Sequence, residues 1–303
     1  MLLFTLVALA ALLLMLVATG GTGLLRNVKY HAGMWDFTCT RLHEAAETKD
    51  VDVLFLGSSH CYRTFDTRYY AAKGLRTFNL GSSNQTPLQS LMLLRLYVDS
   101  LRPACVVLEV HPDMMGNDGV ESSIYLANNM KLSNELVWMS FATRNMKSIL
   151  SMIYSVFRNG LFPRTSCNEA LAGGENEYVP GGFVESKGGC YHPEPHEPVE
   201  IRVEELQVES LQEIVKLLDS KRIPLLIVEV PYTRVLRESY TNHEWFEKEM
   251  SNYGTFVSPR LEGLNDSLHF SDQEHLNQHG VEVFNEYFYE SVLLPFMNNN
   301  IKQ

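Results

Sequence analysis

The 303-residue chain predicts an α/β fold: a three-layer sandwich around a mainly parallel sheet of about five strands, preceded by an N-terminal transmembrane helix. Three observations carry this reading. Short β-rich runs that stop at glycine or proline alternate with longer stretches of helical periodicity, the pattern of a parallel sheet crossed over by helices. Residues 1–17 are apolar apart from Thr5, at the lower limit for crossing a bilayer. A composition of 45% apolar and 20% charged residues is enough to bury a sizeable core.

Residues 1–22 read as a membrane anchor or signal segment and not as a buried core helix, because the run is apolar on every face and lies at the extreme N-terminus. Ala18-Thr19-Gly20-Gly21 is small enough for a cleavage region, but no basic residues precede the run, which favours an uncleaved anchor. Residues 23–49 follow as a juxtamembrane segment, and residues 50–303 as the folded domain. The first strand is expected at 51–56, stopping at Gly57, and the second at 77–80, stopping at Gly81. Between 87 and 101, Leu88, Leu91, Leu94, Val98 and Leu101 recur at helical spacing. A third strand spans 105–110. The stretch 113–200 interrupts the alternation and reads as an insertion, helical over 128–157 and rich in Gly, Pro, Asn and Glu over 160–198. An amphipathic helix at 201–221 feeds a fourth strand at 224–230; a helix at 244–253, a weaker strand at 254–257 and a closing helix at 281–297 complete the chain. The order corresponds to a flavodoxin-like sheet, whose functional groups gather at the carboxyl ends of the strands.

A formal charge of −11 without a dense Lys/Arg cluster argues against nucleic-acid binding. Cys39, Cys61, Cys105, Cys167 and Cys190 form no CxxC pair or zinc-ligand spacing, so no metal and no cofactor is expected. Cys167 and Cys190 bracket a glycine-rich stretch and are either a disulfide or two free thiols. The run His192-Pro193-Glu194-Pro195-His196-Glu197 has metal-ligating residue types, but its prolines suggest an extended exposed loop.

The chemistry-bearing residues lie at the two ends of the domain. Asp272 stands three residues before His275, close enough to reach the imidazole across one tight turn, and the first strand ends in Gly57-Ser58-Ser59-His60. A serine hydroxyl is a weak nucleophile until an imidazole takes its proton, and a carboxylate on the other ring nitrogen fixes the tautomer. His60 adjoins the serines and His111 follows the third strand; both read as rim or packing residues.

On these residues the chain resembles the SGNH (GDSL-like) hydrolase superfamily, particularly its membrane-anchored bacterial branch that includes alginate and teichoic-acid acylation proteins. Gly57-Ser58-Ser59 matches the first block, Asn79-Leu80-Gly81 the second and Asp272-Gln273-Glu274-His275 the last. The resemblance implies Ser59 as nucleophile, with Ser58 as runner-up, His275 as base and Asp272 as its orienting acid. It implies an oxyanion-hole N–H at Gly81. The third block departs from the family pattern, since Val110-His111-Pro112-Asp113 stands in its place, which leaves Asn84 and Asn117 as candidate amide donors. The expected activity is hydrolysis or transfer of an acyl ester on a cell-envelope glycan or glycopolymer. The catalytic domain would lie in the periplasm or at the cell surface, beside a multi-spanning membrane acyltransferase, or be secreted if the N-terminal segment is cleaved. A non-catalytic envelope-assembly or carbohydrate-binding protein on the same fold and a lipid esterase are the alternatives.

Overall fold

The computed structural model describes residues 2–19, 37–161, 167 and 169–301. After α1 (Leu2–Thr19) and α2 (Thr38–Glu47) come β1 (Val53–Leu56), α3 (Ser59–Thr64), α4 (Thr67–Ala72), β2 (Thr77–Asn79), α5 (Pro87–Leu101) and β3 (Cys105–Glu109). The insertion holds α6 (Pro112–Met115), α7 (Val120–Asn129), α8 (Asn134–Ala142), α9 (Met146–Leu161), β4 (Ala172–Gly173), β5 (Asn176–Val179) and β6 (Phe183–Ser186). The chain then returns through α10 (Glu205–Lys221), β7 (Leu225–Val228), α11 (Arg234–Ser239), α12 (His243–Met250) and β8 (Thr255–Val257). It closes with α13 (Gln278–Phe288), a π-helical turn and α14 (Leu294–Asn300).

The main sheet has five strands in the order β2-β1-β3-β7-β8, every neighbouring pair parallel. Every residue of β1 and β3 is buried, as strands covered on both faces must be. Successive side chains point to opposite faces. Leu54, Leu56, Val106 and Leu108 join one core with α2, α5, α7, α8, α10 and α12. Val53, Phe55, Cys105 and Val107 join a second with α3, α4, α13 and α14. The result is three layers. In this strand order the chain leaves β1 to one side and β3 to the other, opening a crevice between their carboxyl ends.

Helix α5 begins where its sequence dictates: Pro87 occupies the first turn, and Gln89 Oε1 accepts from the Thr86 N–H in a capping box. The 113–200 region is more ordered than its composition suggests. Its helical half divides into three helices, and its Gly-rich half forms an antiparallel three-stranded sheet, β4-β5-β6. Strands of two to four residues are too short to register as a period-2 pattern. The turn after β5 lies along the free edge of β2, where Asn79 N–H donates to Gly181 O at 2.7 Å, so the insertion closes an edge that would otherwise stay unpaired.

The structure bears on three expectations at the N-terminal side. Among the described residues no helix is long and apolar enough to cross a membrane. Within 23–49, α2 is part of the folded body and not a linker: Leu42 and Ala45 enter the core beside α5 and α7. Cys167 is bonded to Cys39, not to Cys190, which is exposed and free. The physical reason is that Glu169 docks on the start of α2, its Oε2 accepting from Thr40 N–H and Oγ–H at 2.8 and 2.7 Å, and so carries Cys167 away from its nearer neighbour in sequence.

Candidate active site

The turn after β1 is set by Gly57. Its φ of +148° is disfavoured for other residues, and a Cβ there would stand 2.4 Å from Glu109 Oε2. Ser58 then caps α3, its Oγ accepting from the His60 N–H. Ser58 is buried, and Glu109 Oε2 accepts from both its N–H (2.7 Å) and its hydroxyl (2.9 Å). Those bonds hold the turn, and the runner-up serine is thereby committed to structure. Ser59, the first residue of α3, is half-buried and turns the other way, its Oγ 2.8 Å from His275 Nε2.

His275 and Asp272 share a tight loop ahead of α13. Asp272 Oδ1 accepts from the backbone N–H groups of Glu274 (2.8 Å) and His275 (2.7 Å), which closes the turn. Both carboxylate oxygens also approach His275 Nδ1, at 3.0 and 2.9 Å. A carboxylate at Nδ1 places the ring proton there and leaves Nε2 to accept the Ser59 proton. Although partial burial pushes the Asp272 carboxyl up, the His275 hydrogen bond and charge, with the two backbone donors, hold it below its usual value. Packing of α13 against α3 joins residues 216 positions apart, at the crevice between β1 and β3.

A buried histidine column backs this arrangement. The His60 ring stacks on His275 (centroids 4.8 Å apart, 11° between planes) and on His111 (4.1 Å, 5°). His60 Nδ1 lies 2.8 Å from Ser58 Oγ, so Glu109, Ser58, His60 and His275 form one connected cluster. Burial, then the neighbouring His111 and His275, lower the His60 pKa well below its ordinary value, and burial lowers His111 likewise. These rings are therefore neutral at neutral pH. Burial pushes Glu109 up to about 7 against the Ser58 hydrogen bonds. Sequence reasoning set His60 aside because a residue next to the nucleophile usually points elsewhere. Here the one-turn geometry of α3 directs it behind His275.

The oxyanion candidates fare unequally. The Gly81 N–H donates to Asn79 Oδ1 at 3.1 Å, so in this structure it is engaged and not directed at a substrate. The glycine is required for another reason: a Cβ would meet Gly57 O and Ser58 O at 3.0 Å, and its absence lets the β2 loop lie against the Ser59 turn. Asn84 is half-buried at φ +51° in that same loop. Asn117 is not brought to Ser59. Its Oδ1 accepts from the Gly119 N–H and its carbonyl from Gln207 of α10, on the α5–α10 side of the sheet. The Ser59 N–H has no acceptor among the described residues.

A polar cavity of about 540 Å³ adjoins Asp272, lined by Arg63, Glu175, Ser186, Cys190 and Ser271 among others. His192 and His196 lie in an irregular loop. Among the described residues, the one group with metal-ligand proximity is Glu229, His243 and Glu247. Its donors are already occupied: Glu229 accepts from Tyr232, His243 and Ser258, and Glu247 is paired with Arg237 and Arg260. That arrangement is a satisfied buried charge network.

No family model and no curated protein matches the sequence. Among solved structures, the chain is similar to a protein from Bacteroides fragilis named for a proposed acylhydrolase activity, with TM-score 0.38 and 15% identity over 88% of this chain and 99% of that one. It is similar also to a GDSL-like lipase from Bacteroides thetaiotaomicron, with TM-score 0.37 and 15% identity over 86% of this chain and 100% of that one. Likeness at this level carries no inference about chemistry, which rests on the geometry above.

Proposed function

We propose that the protein is an SGNH-type serine ester hydrolase or O-acyltransferase that works outside the cytoplasm on an acyl ester of a cell-envelope glycan or glycopolymer. The observation that carries this reading is the Ser59 Oγ to His275 Nε2 contact of 2.8 Å, with Nδ1 held by both oxygens of Asp272. In the mechanism, Ser59 Oγ attacks the ester carbonyl as its proton passes to His275 Nε2, and Asp272 stabilises the imidazolium. The tetrahedral oxyanion is held by the Ser59 N–H, with the Asn84 loop beside it. Collapse of this intermediate expels the alcohol, which takes the proton from His275, and leaves an acyl-serine. Water then regenerates the acid and free serine; if a sugar hydroxyl attacks instead, the acyl group is transferred. The Cys39–Cys167 bond supports an oxidising compartment, such as a periplasm or cell surface. A multi-spanning membrane acyltransferase is the partner such a pathway would supply.

One observation favours the alternative, a non-catalytic assembly or glycan-binding protein: the Gly81 N–H is engaged with Asn79, leaving fewer oxyanion donors than the family pattern supplies. Labelling the full chain with a fluorophosphonate probe separates the two. An activated serine gives labelling that is lost in Ser59→Ala and in His275→Ala and retained in Ser58→Ala. Absence of labelling in a folded, full-length protein would sink the catalytic reading.

A further inference from the structure

Helix α9 buries Met152 and Tyr154 in the ordinary way, but it also turns serines inward and leaves apolar side chains outside. Its small polar residues Ser148, Ser151 and Ser155 are buried against α7, where Asn128 Nδ2 donates to Ser151 Oγ at 3.0 Å and Ser155 Oγ donates to Asn128 Oδ1 at 3.1 Å. At 100° per residue the opposite face carries Met146, Ile149, Leu150 and Phe157, which are exposed or half-buried. An aqueous helix keeps its apolar stripe inward and its serines outward. Exposed apolar side chains continue into the preceding segment: Phe141 of α8 is 55% exposed beside Met146 at 63%, with Leu132 and Trp138 exposed nearby, while Leu136 and Met139 of α8 face the core. Helix α1, apolar except for two threonines and with Phe4 79% exposed, packs along α9.

The charges of this region complement the apolar face. Residues 131–158 contain four cations, Lys131, Arg144, Lys147 and Arg158, against the single acid Glu135, in a chain whose net charge is −11. Lys131, Arg144 and Lys147 are exposed, and no ion pair joins any of the four cations to a carboxylate among the described residues. Arg95, itself paired with Glu213, lies over the Trp138 ring at 4.5 Å at the edge of the patch. An apolar face flanked by lysine and arginine, with tryptophan at its margin, is the composition that lies in a lipid interface. A two-fold contact between copies would set these unpaired cations against their own counterparts, which disfavours a dimer.

We propose that α8 and the outer face of α9 dock on the surface of an anionic phospholipid membrane, seated in its headgroup region. This inference stands apart from the catalytic reading and deepens only its location: the protein is held to the bilayer by its insertion as well as by its N-terminal helix.

Trp138 reports the contact directly. With Trp35→Phe and Trp245→Phe in the full chain, it is the sole tryptophan, and its emission is read on vesicles of phosphatidylcholine with or without phosphatidylglycerol, carrying brominated acyl chains. The expected result is quenching of roughly twofold on the phosphatidylglycerol vesicles, as for a ring buried 5–10 Å into the interface. Charge reversal of Lys131, Arg144 and Lys147 to glutamate should abolish that quenching, with circular dichroism confirming the fold. Unquenched Trp138 on protein that still floats with the vesicles would overturn the proposal, because α1 alone would then be the contact. Protection of Trp138 from aqueous iodide in the absence of lipid, growing with protein concentration, would overturn it in favour of a second copy.

Discussion

His60 shows how one side chain can serve both structure and site. Its ring lies flat on His275, and its Nδ1 meets Ser58 Oγ, so substitution separates two contributions. On the proposed mechanism, a neutral ring stacked on His275 would support it as it becomes imidazolium, an attraction of about 0.5–2 kcal/mol. His60→Phe keeps a face and loses the Ser58 contact; His60→Ala loses both. The expected outcome is a loss in ester kcat/KM of up to about tenfold for His60→Phe and roughly tenfold more for His60→Ala. Equal losses would assign the residue's role to the Ser58 contact alone, and the pH profile of kcat/KM would show whether the base has shifted.

At the scale of elements, the loop before α13 matters more than the helix itself. Asn277 caps the helix through Oδ1, which accepts from the Gly280 N–H, and fastens the loop through Nδ2, which donates to Leu268 O. Phe270 and Leu276 bridge its two sides, holding Asp272 and His275 in one turn. Replacing Asn277 with alanine removes the cap and leaves the Leu268 carbonyl without this donor. Stability should fall by about 1–2 kcal/mol in urea unfolding, with a loss of activity measured well below the transition. A stability loss without any activity loss would show that the loop holds its geometry by other means. The same reasoning explains β1 and its turn: a fully buried strand leads into Gly57, whose missing side chain is the space Glu109 occupies.

Two predictions belong to the whole molecule. Glu109 is buried in the crevice between the layers and is pushed from 4.5 up to about 7. Between those values the folded state holds a proton that the unfolded chain has released. Its contribution to stability is therefore complete below about 4.5 and is lost as pH rises through about 7. Glu109→Gln, which keeps an acceptor for Ser58, should flatten the decline in urea midpoint between pH 5 and 8. An unchanged decline would exclude Glu109 as the responsible group. The Cys39–Cys167 bond closes a loop across 128 residues, tying α2 to the insertion. Chain-entropy reasoning assigns such a loop roughly 5 kcal/mol, so reduction should lower the Tm by several degrees, and Cys39→Ser should reproduce the shift without reductant. A Tm indifferent to both would mean that the α2 packing is sufficient.

What the sequence determined by itself is the sheet and its site edge. The central strands β1, β3 and β7 are short apolar runs, and β1 and β2 are followed closely by Gly57 and Gly81, so strand positions are local information. The Asp272–His275 pairing is local too, because a three-residue spacing closes within one turn. Contacts between distant segments were decided only by tertiary structure. The sequence offered Ser58 and Ser59 as alternatives; burial against Glu109 commits the first and packing of α13 on α3 presents the second. Gly81 ended a strand as expected, yet its N–H answers to Asn79, a partner no spacing rule selects. Cys167 lay nearer Cys190 in sequence and bonded Cys39 in space. Periodicity reports which face of an element is buried, whereas pairings among hydroxyls, thiols and amides depend on which elements meet, and that is settled when the layers pack.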